Sequence, residues 1–349
     1  MLDNLKYRKF QKIIQENEQK IKDMPKAELH VHLDGSLRID TMIELAIQSH
    51  YIGTDYMASH VKPVGLPSHY PPALIRKLKF DQKYESLEDC LKVFTLTTAL
   101  MQNKLSLNRI AFELVEDAYC ENIQYMEIRF APHLHTNRQQ TNEDVLNEVL
   151  NGLSRATFQY NVETKVIICG IRNLSPDLSL EMAKLAVAFK DKGVVGFDLA
   201  GGENGFPPGL HKDAFQVARD GGLGITIHAG ESAGPESIKE ALDLGATRIG
   251  HGCRIIEDKK LMTRAIKENI ALECCPTSNW QTGAVKDLSE HPLKKCFDAG
   301  IKVTINTDNR LVHNTTLTKE LLKCGTEMNL GIDTITEMVE NGFKAKFTV

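Results

Sequence analysis

A (β/α)8 barrel is the fold the sequence predicts, on three observations. Short apolar, β-branched runs alternate with longer segments of helical periodicity along most of the chain. Eight such runs can be placed, about Glu28–Leu33, Ile123–Arg129, Lys165–Gly170, Val194–Leu199, Gly224–His228, Arg248–Gly250, Ala271–Cys274 and Lys302–Asn306. No Gly-x-Gly-x-x-Gly follows the first run, which disfavours an open dinucleotide-binding sheet. Near-continuous apolar strands between helices mark a parallel sheet covered by helices, and eight of them suggest closure.

The helical segments fit that reading, with clear periodicity over Glu143–Tyr160, Leu178–Lys190 and Leu261–Glu268. One interval is too long for a single crossover, the residues 34–122 between the first and second runs. It holds helical patterns at Leu37–Ser49 and Leu87–Asn103 and a Pro-rich piece at Lys62–Pro72, before Asn108–Cys120 supplies the first barrel helix. We therefore expect one barrel domain over residues 1–349, with a helical insertion or lid at about 37–105. An insertion there sits over the mouth where barrel chemistry resides.

Composition narrows the function. Hydrophobic residues make up 42% of the 349 and charged residues 25%, with a formal net charge of −4. That balance lacks the basic excess that neutralises phosphates, so no nucleic-acid partner is expected. The longest apolar runs, such as Val166–Cys169, are strand-length, far short of the ~18 residues of a membrane span. The N-terminal twenty residues are polar and charged and read as a leading outer helix, without the apolar core of a signal peptide. Eight scattered cysteines, only Cys274 and Cys275 adjacent, read as reduced thiols of a cytoplasmic protein.

The informative polar residues fall at strand ends. The first strand carries His30 and His32, which a period of two places on one face. The fifth ends in His228-Ala229-Gly230-Glu231, the sixth in Gly250-His251-Gly252, and the eighth in Asn306-Thr307-Asp308-Asn309. A lone His-x-His is weak evidence for a metal, and a single buried histidine is usually a satisfied core residue. Chance core histidines have no reason to gather repeatedly at the carboxyl ends of barrel strands. Imidazoles with a carboxylate and no cysteine favour Zn²⁺ in an open, catalytic site. A further histidine and a carboxylate remain for proton transfer, which completes the parts of a metal-assisted hydrolysis.

Six stretches carry a family resemblance. They are Pro-Lys-Ala-Glu-Leu-His-Val-His-Leu-Asp-Gly-Ser-Leu at 25–37, Asp-Leu-Ala-Gly-Gly-Glu at 198–203, His-Ala-Gly-Glu at 228–231, Arg-Ile-Gly-His-Gly at 248–252, Cys-Pro-Thr-Ser-Asn at 275–279 and Asn-Thr-Asp at 306–308. Together they resemble the adenosine deaminase family over about residues 25–345. The resemblance implies one zinc per chain on His30, His32, His228 and Asp308. It implies that Glu231 donates a proton to purine N1 and that His251 orients and deprotonates the attacking water. It places the Gly201 N–H at purine N3, Asp34 at the ribose 5′-hydroxyl, His32 beside the substrate as well as the metal, and Ser278 as a pocket polar group. Each also has a local explanation: Glu231 as a helix cap, Asp34-Gly35 as a turn, Ser278 bonded to nearby backbone.

The chain departs from the family pattern at Asp308-Asn309, where many members carry two aspartates. The second position faces purine N7 in the family, and an Asn amide donates there without first being protonated. The resemblance thus implies conversion of adenosine and 2′-deoxyadenosine to inosine and ammonia, in purine salvage, with a small purine nucleoside as the partner. It leaves open a related aminopurine (adenine, a 5′-modified adenosine or aminodeoxyfutalosine) and a non-catalytic homologue. Relatives acting on the free base typically show Glu where this chain has Asp34, which favours a nucleoside. The pattern of a cytidine-type deaminase, His-x-Glu with Pro-Cys-x-x-Cys, is absent. The sequence does not set the oligomeric state.

Overall fold

The computed structural model describes residues 17–48, 83–136 and 140–348. Eight parallel strands run in sequence order, each hydrogen-bonded to the next. They are β1 (Lys26–His32), β2 (Ile123–Phe130), β3 (Glu163–Ile171), β4 (Val194–Ala200), β5 (Gly224–Ala229), β6 (Arg248–His251), β7 (Ala271–Cys274) and β8 (Lys302–Ile305). The barrel closes between β8 and β1. His32 N–H donates to the Asp308 carbonyl at 2.7 Å and Asp308 N–H to the His30 carbonyl at 2.9 Å. Lower down, the Asn306 side chain stands in for a strand neighbour by accepting from Leu29 N–H at 2.9 Å. The closure therefore joins the two strand ends that carry His30, His32 and Asp308.

Helices cover the outside: α1 (Ile39–Gln48), α2 (Leu87–Leu91), α3 (Phe94–Leu100), α4 (Lys104–Cys120), α5 (Asn142–Tyr160), α6 (Pro176–Ala188), α7 (Lys212–Asp220), α8 (Pro235–Asp243), α9 (Lys259–Lys267), α10 (Pro276–Gln281), α11 (Leu293–Asp298), α12 (Leu317–Thr326) and α13 (Ile332–Ala345). Their starts follow local chemistry. Thr141 and Asp144 form a capping box on α5. Ser175 accepts from Asp177 N–H at α6, whose first residue is Pro176. Asp258 accepts from Lys260 and Leu261 N–H at α9. One apolar cluster fills the space between strands and helices, with residues such as Val31, Ile128, Ile168 and Leu199 wholly buried.

Residues 17–23 are helical, and Ile21 reaches that core. Of the expected insertion, α1 to α3 are described, while the Pro-rich 62–72 lies outside the described residues, as do 1–16 of the expected leading helix. No helix among the described residues is long and apolar enough to cross a membrane.

Candidate active site

The carboxyl ends of the strands surround a cavity of about 250 Å³. Nine of the ten residues singled out in the sequence line it: His32, Asp34, Gly201, His228, Glu231, His251, Ser278, Asp308 and Asn309. The tenth, His30, lies wholly buried just beneath. Apolar side chains of Leu87, Leu91, Phe94, Ala131 and Leu134 also line it, so α2 and α3 border the same cavity as the strand ends.

The backbone at two strand ends is unusual. His251 and Asp308 adopt left-handed φ values of 65° and 62°. Neither is a glycine, and such conformations in ordinary residues concentrate at functional sites. Gly201 has a φ of +100°, and an added Cβ there would meet Asn173 Oδ1 at 2.6 Å. Its backbone can therefore stand at the cavity wall only as glycine. Gly35 is held to glycine by the Asn309 side chain, whose Oδ1 would lie 1.9 Å from an added Cβ.

Five donors converge at the cavity floor. One atom each from His30, His228, His251 and Asp308 lie within 4.8 Å of one another. His32 joins them at the edge, its Nε2 3.2 Å from His228 Nε2 and 3.4 Å from Asp308 Oδ1. The ring orientations are set from behind. His30 Nδ1 lies 2.8 Å from Glu273 Oε2, and His228 Nδ1 lies 3.0 Å from Asp198 Oδ2. A carboxylate accepting from Nδ1–H fixes the tautomer and turns the Nε2 lone pair toward the shared centre. His30 Nε2 is buried there without a hydrogen-bond partner among the described residues, with Asp308 Oδ1 at 3.4 Å. Ser278 Oγ donates to Asp308 Oδ2 at 2.6 Å, leaving Oδ1 to the histidines. A cluster of imidazole nitrogens around one carboxylate, with His30 and His228 braced from behind and His30 Nε2 left unmatched, fits a single divalent cation.

The residues behind the histidines were not singled out in the sequence. Arg129 bridges the two carboxylates, Nη1 to Asp198 at 2.9 Å and Nη2 to Glu273 at 2.8 Å, all three wholly buried. Glu203 holds the loop carrying Glu231, accepting the N–H groups of Gly230, Glu231, Ser232 and Ala233 at 2.7–3.0 Å. Asn279 bonds to His251, and Thr282 Oγ1 donates to Glu231 Oε1 at 3.1 Å. A signal existed for each kind: Asp198, Glu203 and Asn279 stand inside quoted motifs, and Glu273 is a carboxylate inside an apolar strand.

Electrostatics separate the titratable groups. Burial, with the Asp308 charge nearby, pushes the Glu231 carboxyl up to about 7. Burial alone does most of the same for Asp34, also to about 7. Burial lowers His251 to about 4, so its ring is neutral. A carboxyl that is protonated near neutrality beside a neutral imidazole supplies an acid and a polar orienting group in one cavity.

The model of the adenosine deaminase family matches residues 25–349. This chain belongs to that family. An adenosine deaminase of Clostridium acetobutylicum is 37% identical over 330 residues, which covers 94% of this chain and 95% of the relative. Among solved structures, an adenine deaminase of Arthrobacter aurescens superposes with a TM-score of 0.83 at 26% identity, covering 93% of this chain and 94% of its own. An N6-methyl-AMP deaminase of Arabidopsis thaliana gives 0.80 at 26% identity, covering 95% and 94%. As an adenosine deaminase family member with this fold, the protein is a hydrolytic deaminase.

Proposed function

We propose that the protein deaminates adenosine and 2′-deoxyadenosine to inosine and ammonia, with one zinc ion per chain. The observation that carries the proposal is the convergence of His30, His32, His228 and Asp308 with Glu231 and His251 at a single cavity. His30, His32, His228 and Asp308 would hold the ion. Zinc in an open site of this kind lowers the pKa of a water molecule and so supplies a nucleophile at neutral pH.

The chain's own residues do the rest. Glu231, protonated near neutrality, gives its proton to purine N1 as electron density moves there from C6. His251 orients the attacking water, with its Nε2 3.5 Å from Glu231 Oε2 on the same side of the cavity. The Gly201 N–H meets N3, Asp34 holds the ribose 5′-hydroxyl, and Ser278 steadies Asp308 through its 2.6 Å bond. Asn309 donates to N7. Among the described residues its Nδ2 is engaged only by a long 3.4 Å contact with His313, which a ligand can displace. The apolar wall of α2 and α3 screens the reacting atoms from bulk water, as a lid from the insertion would.

Adenosine is preferred because the curated relative named for it stands at 37% identity, against 26% for the neighbours named for adenine or N6-methyl-AMP. All three names share a purine. Cytoplasmic residence suits eight cysteines that are all free. The test is a side-by-side assay of adenosine, adenine and AMP, following the ultraviolet change as aminopurine becomes hydroxypurine. Adenosine is expected to turn over fastest; faster turnover of adenine or AMP overturns the nucleoside assignment.

A further inference from the structure

His251 has two candidate roles at the cavity floor, and the position of its ring proton separates them. As one of the four groups with a ligand atom within 4.8 Å of one another it could ligate the metal, through Nε2 because Nδ1 meets Asn279. As the group beside Glu231 it could meet the attacking water instead. A nitrogen that carries a proton has no lone pair for a cation and cannot take a proton from water.

The proton can be placed by following hydrogen bonds inward from a group that cannot reverse. Leu293, the first residue of α11, donates its main-chain N–H to His291 Nδ1 at 3.1 Å. A ring nitrogen that accepts a main-chain N–H bears no proton, so the one proton of His291 sits on Nε2. That Nε2 is 3.0 Å from Asn279 Oδ1. The Asn279 oxygen is thereby used as an acceptor, and its Nδ2, which can only donate, lies 3.0 Å from His251 Nδ1. His251 therefore accepts at Nδ1 and carries its proton on Nε2. Turning the Asn279 amide over would set its NH2 against the His291 N–H, two donors facing each other. No solvent relieves that clash, since His291, Asn279 and His251 are 5%, 0% and 1% exposed.

We infer that Asn279 and His291 are positioning residues that hold His251 as the Nε2–H tautomer, which makes His251 a hydrogen-bond donor to the attacking water and excludes it from the metal's ligands. The inference rests on the mouth being the deaminase site. It refines the role that the family resemblance gives His251: orientation is kept, and proton abstraction is withdrawn. It also chooses between the two four-donor sets that share His30, His228 and Asp308, in favour of the one containing His32.

The direct test is the imidazole tautomer in the intact, zinc-loaded protein. Long-range proton–nitrogen correlation on ¹⁵N-histidine-labelled protein distinguishes Nε2–H from Nδ1–H, and the His251 signals are those lost in His251→Ala. Nε2–H on both His251 and His291 is expected. Nδ1–H on His251, or the shift of a metal-bound nitrogen at its Nε2, overturns the inference whether or not any variant folds. Asn279→Asp presents a carboxylate that accepts from both rings, so His251 should switch to Nδ1–H. The kcat for adenosine should fall by roughly 10- to 100-fold, the usual effect of losing an outer hydrogen-bond partner. KM should change by less than about threefold, because substrate binding is not the interaction removed. An unchanged His251 tautomer in Asn279→Asp refutes the relay. Adenosine turnover by the unaltered protein tests the proposed function separately, so the two can fail independently.

Discussion

At the base of the barrel, Lys26 Nζ donates to the main-chain carbonyls of Lys22, Met24 and Glu121 at 2.7–3.0 Å. Nearby, Arg248 pairs with Glu127 at 2.5 Å and Glu273 at 2.6 Å, and its guanidinium lies 3.6 Å from the centre of the Phe347 ring. At the mouth, polar groups are just as buried, yet His30 Nε2, Asp34 Oδ1 and Asn309 Oδ1 have no hydrogen-bond partner among the described residues. Burying a polar group without a partner costs free energy, so the base is built to be closed and the mouth is built to be completed by something else. The two ends share Glu273, which bonds Arg248 with one oxygen and His30 with the other. The closed end thus holds the open end in place.

That contrast can be broken by mutation, most severely at the mouth. Glu231→Gln keeps size and hydrogen bonding but cannot supply a carboxyl proton. Its kcat should fall by roughly 10²–10⁴ with bound zinc unchanged, measured by steady-state kinetics beside metal analysis. Retained turnover would remove Glu231 from the chemistry. Between the two ends, Asp198→Asn loosens the His228 ring without touching the cavity. It should weaken zinc binding by roughly 10- to 100-fold in a competitive chelator titration; unchanged affinity would mean that the buried carboxylates do not orient the ligands.

A smaller effect is expected from Asn309→Ala. If the amide donates to N7, the intact protein should disfavour 7-deazaadenosine by about 1–2 kcal/mol, roughly 5- to 30-fold in kcat/KM. The alanine variant should lose that discrimination; keeping it would leave Asn309 as a turn residue packed on Gly35. Least of all should turnover respond to Phe347→Ala at the base. There the expected change is a stability loss of about 1–2 kcal/mol, from the cation–π contact and partial burial, with kcat unchanged. Denaturant unfolding together with an adenosine assay checks both halves, and a drop in kcat would show that the ends are coupled more tightly than Glu273 alone implies.

The sequence shows the open end better than the closed one. All eight strands are legible from their apolar runs, although β1 begins at Lys26, two residues before the expected start, because a lysine capped by carbonyls looks solvent-exposed in sequence. Helices α6 and α9 likewise start two residues early, at Pro176 and Lys259, since polar caps precede the first periodic apolar residue. His30, His32, His228 and Asp308 stand out because histidine and aspartate at strand ends have few structural uses. Arg129, Asp198 and Glu273 do not, because they come from β2, β4 and β7 and meet only when the barrel closes. Asn279, in α10, and His291, just before α11, are twelve positions apart, and nothing in their spacing reveals a hydrogen bond. Periodicity reports which face a residue occupies; it does not report which residues from distant strands share a layer.

The claim that His30, His32, His228 and Asp308 hold a catalytic zinc at the mouth is tested most directly by counting the metal and the activity together. Purified protein should carry about one zinc per chain by elemental analysis. Stripping with a chelator should abolish adenosine deamination, and adding zinc back should restore it in proportion to occupancy, reaching its maximum at one ion. Full adenosine turnover by rigorously metal-free protein would show instead that His30, His32, His228 and Asp308 gather at the mouth for some other reason.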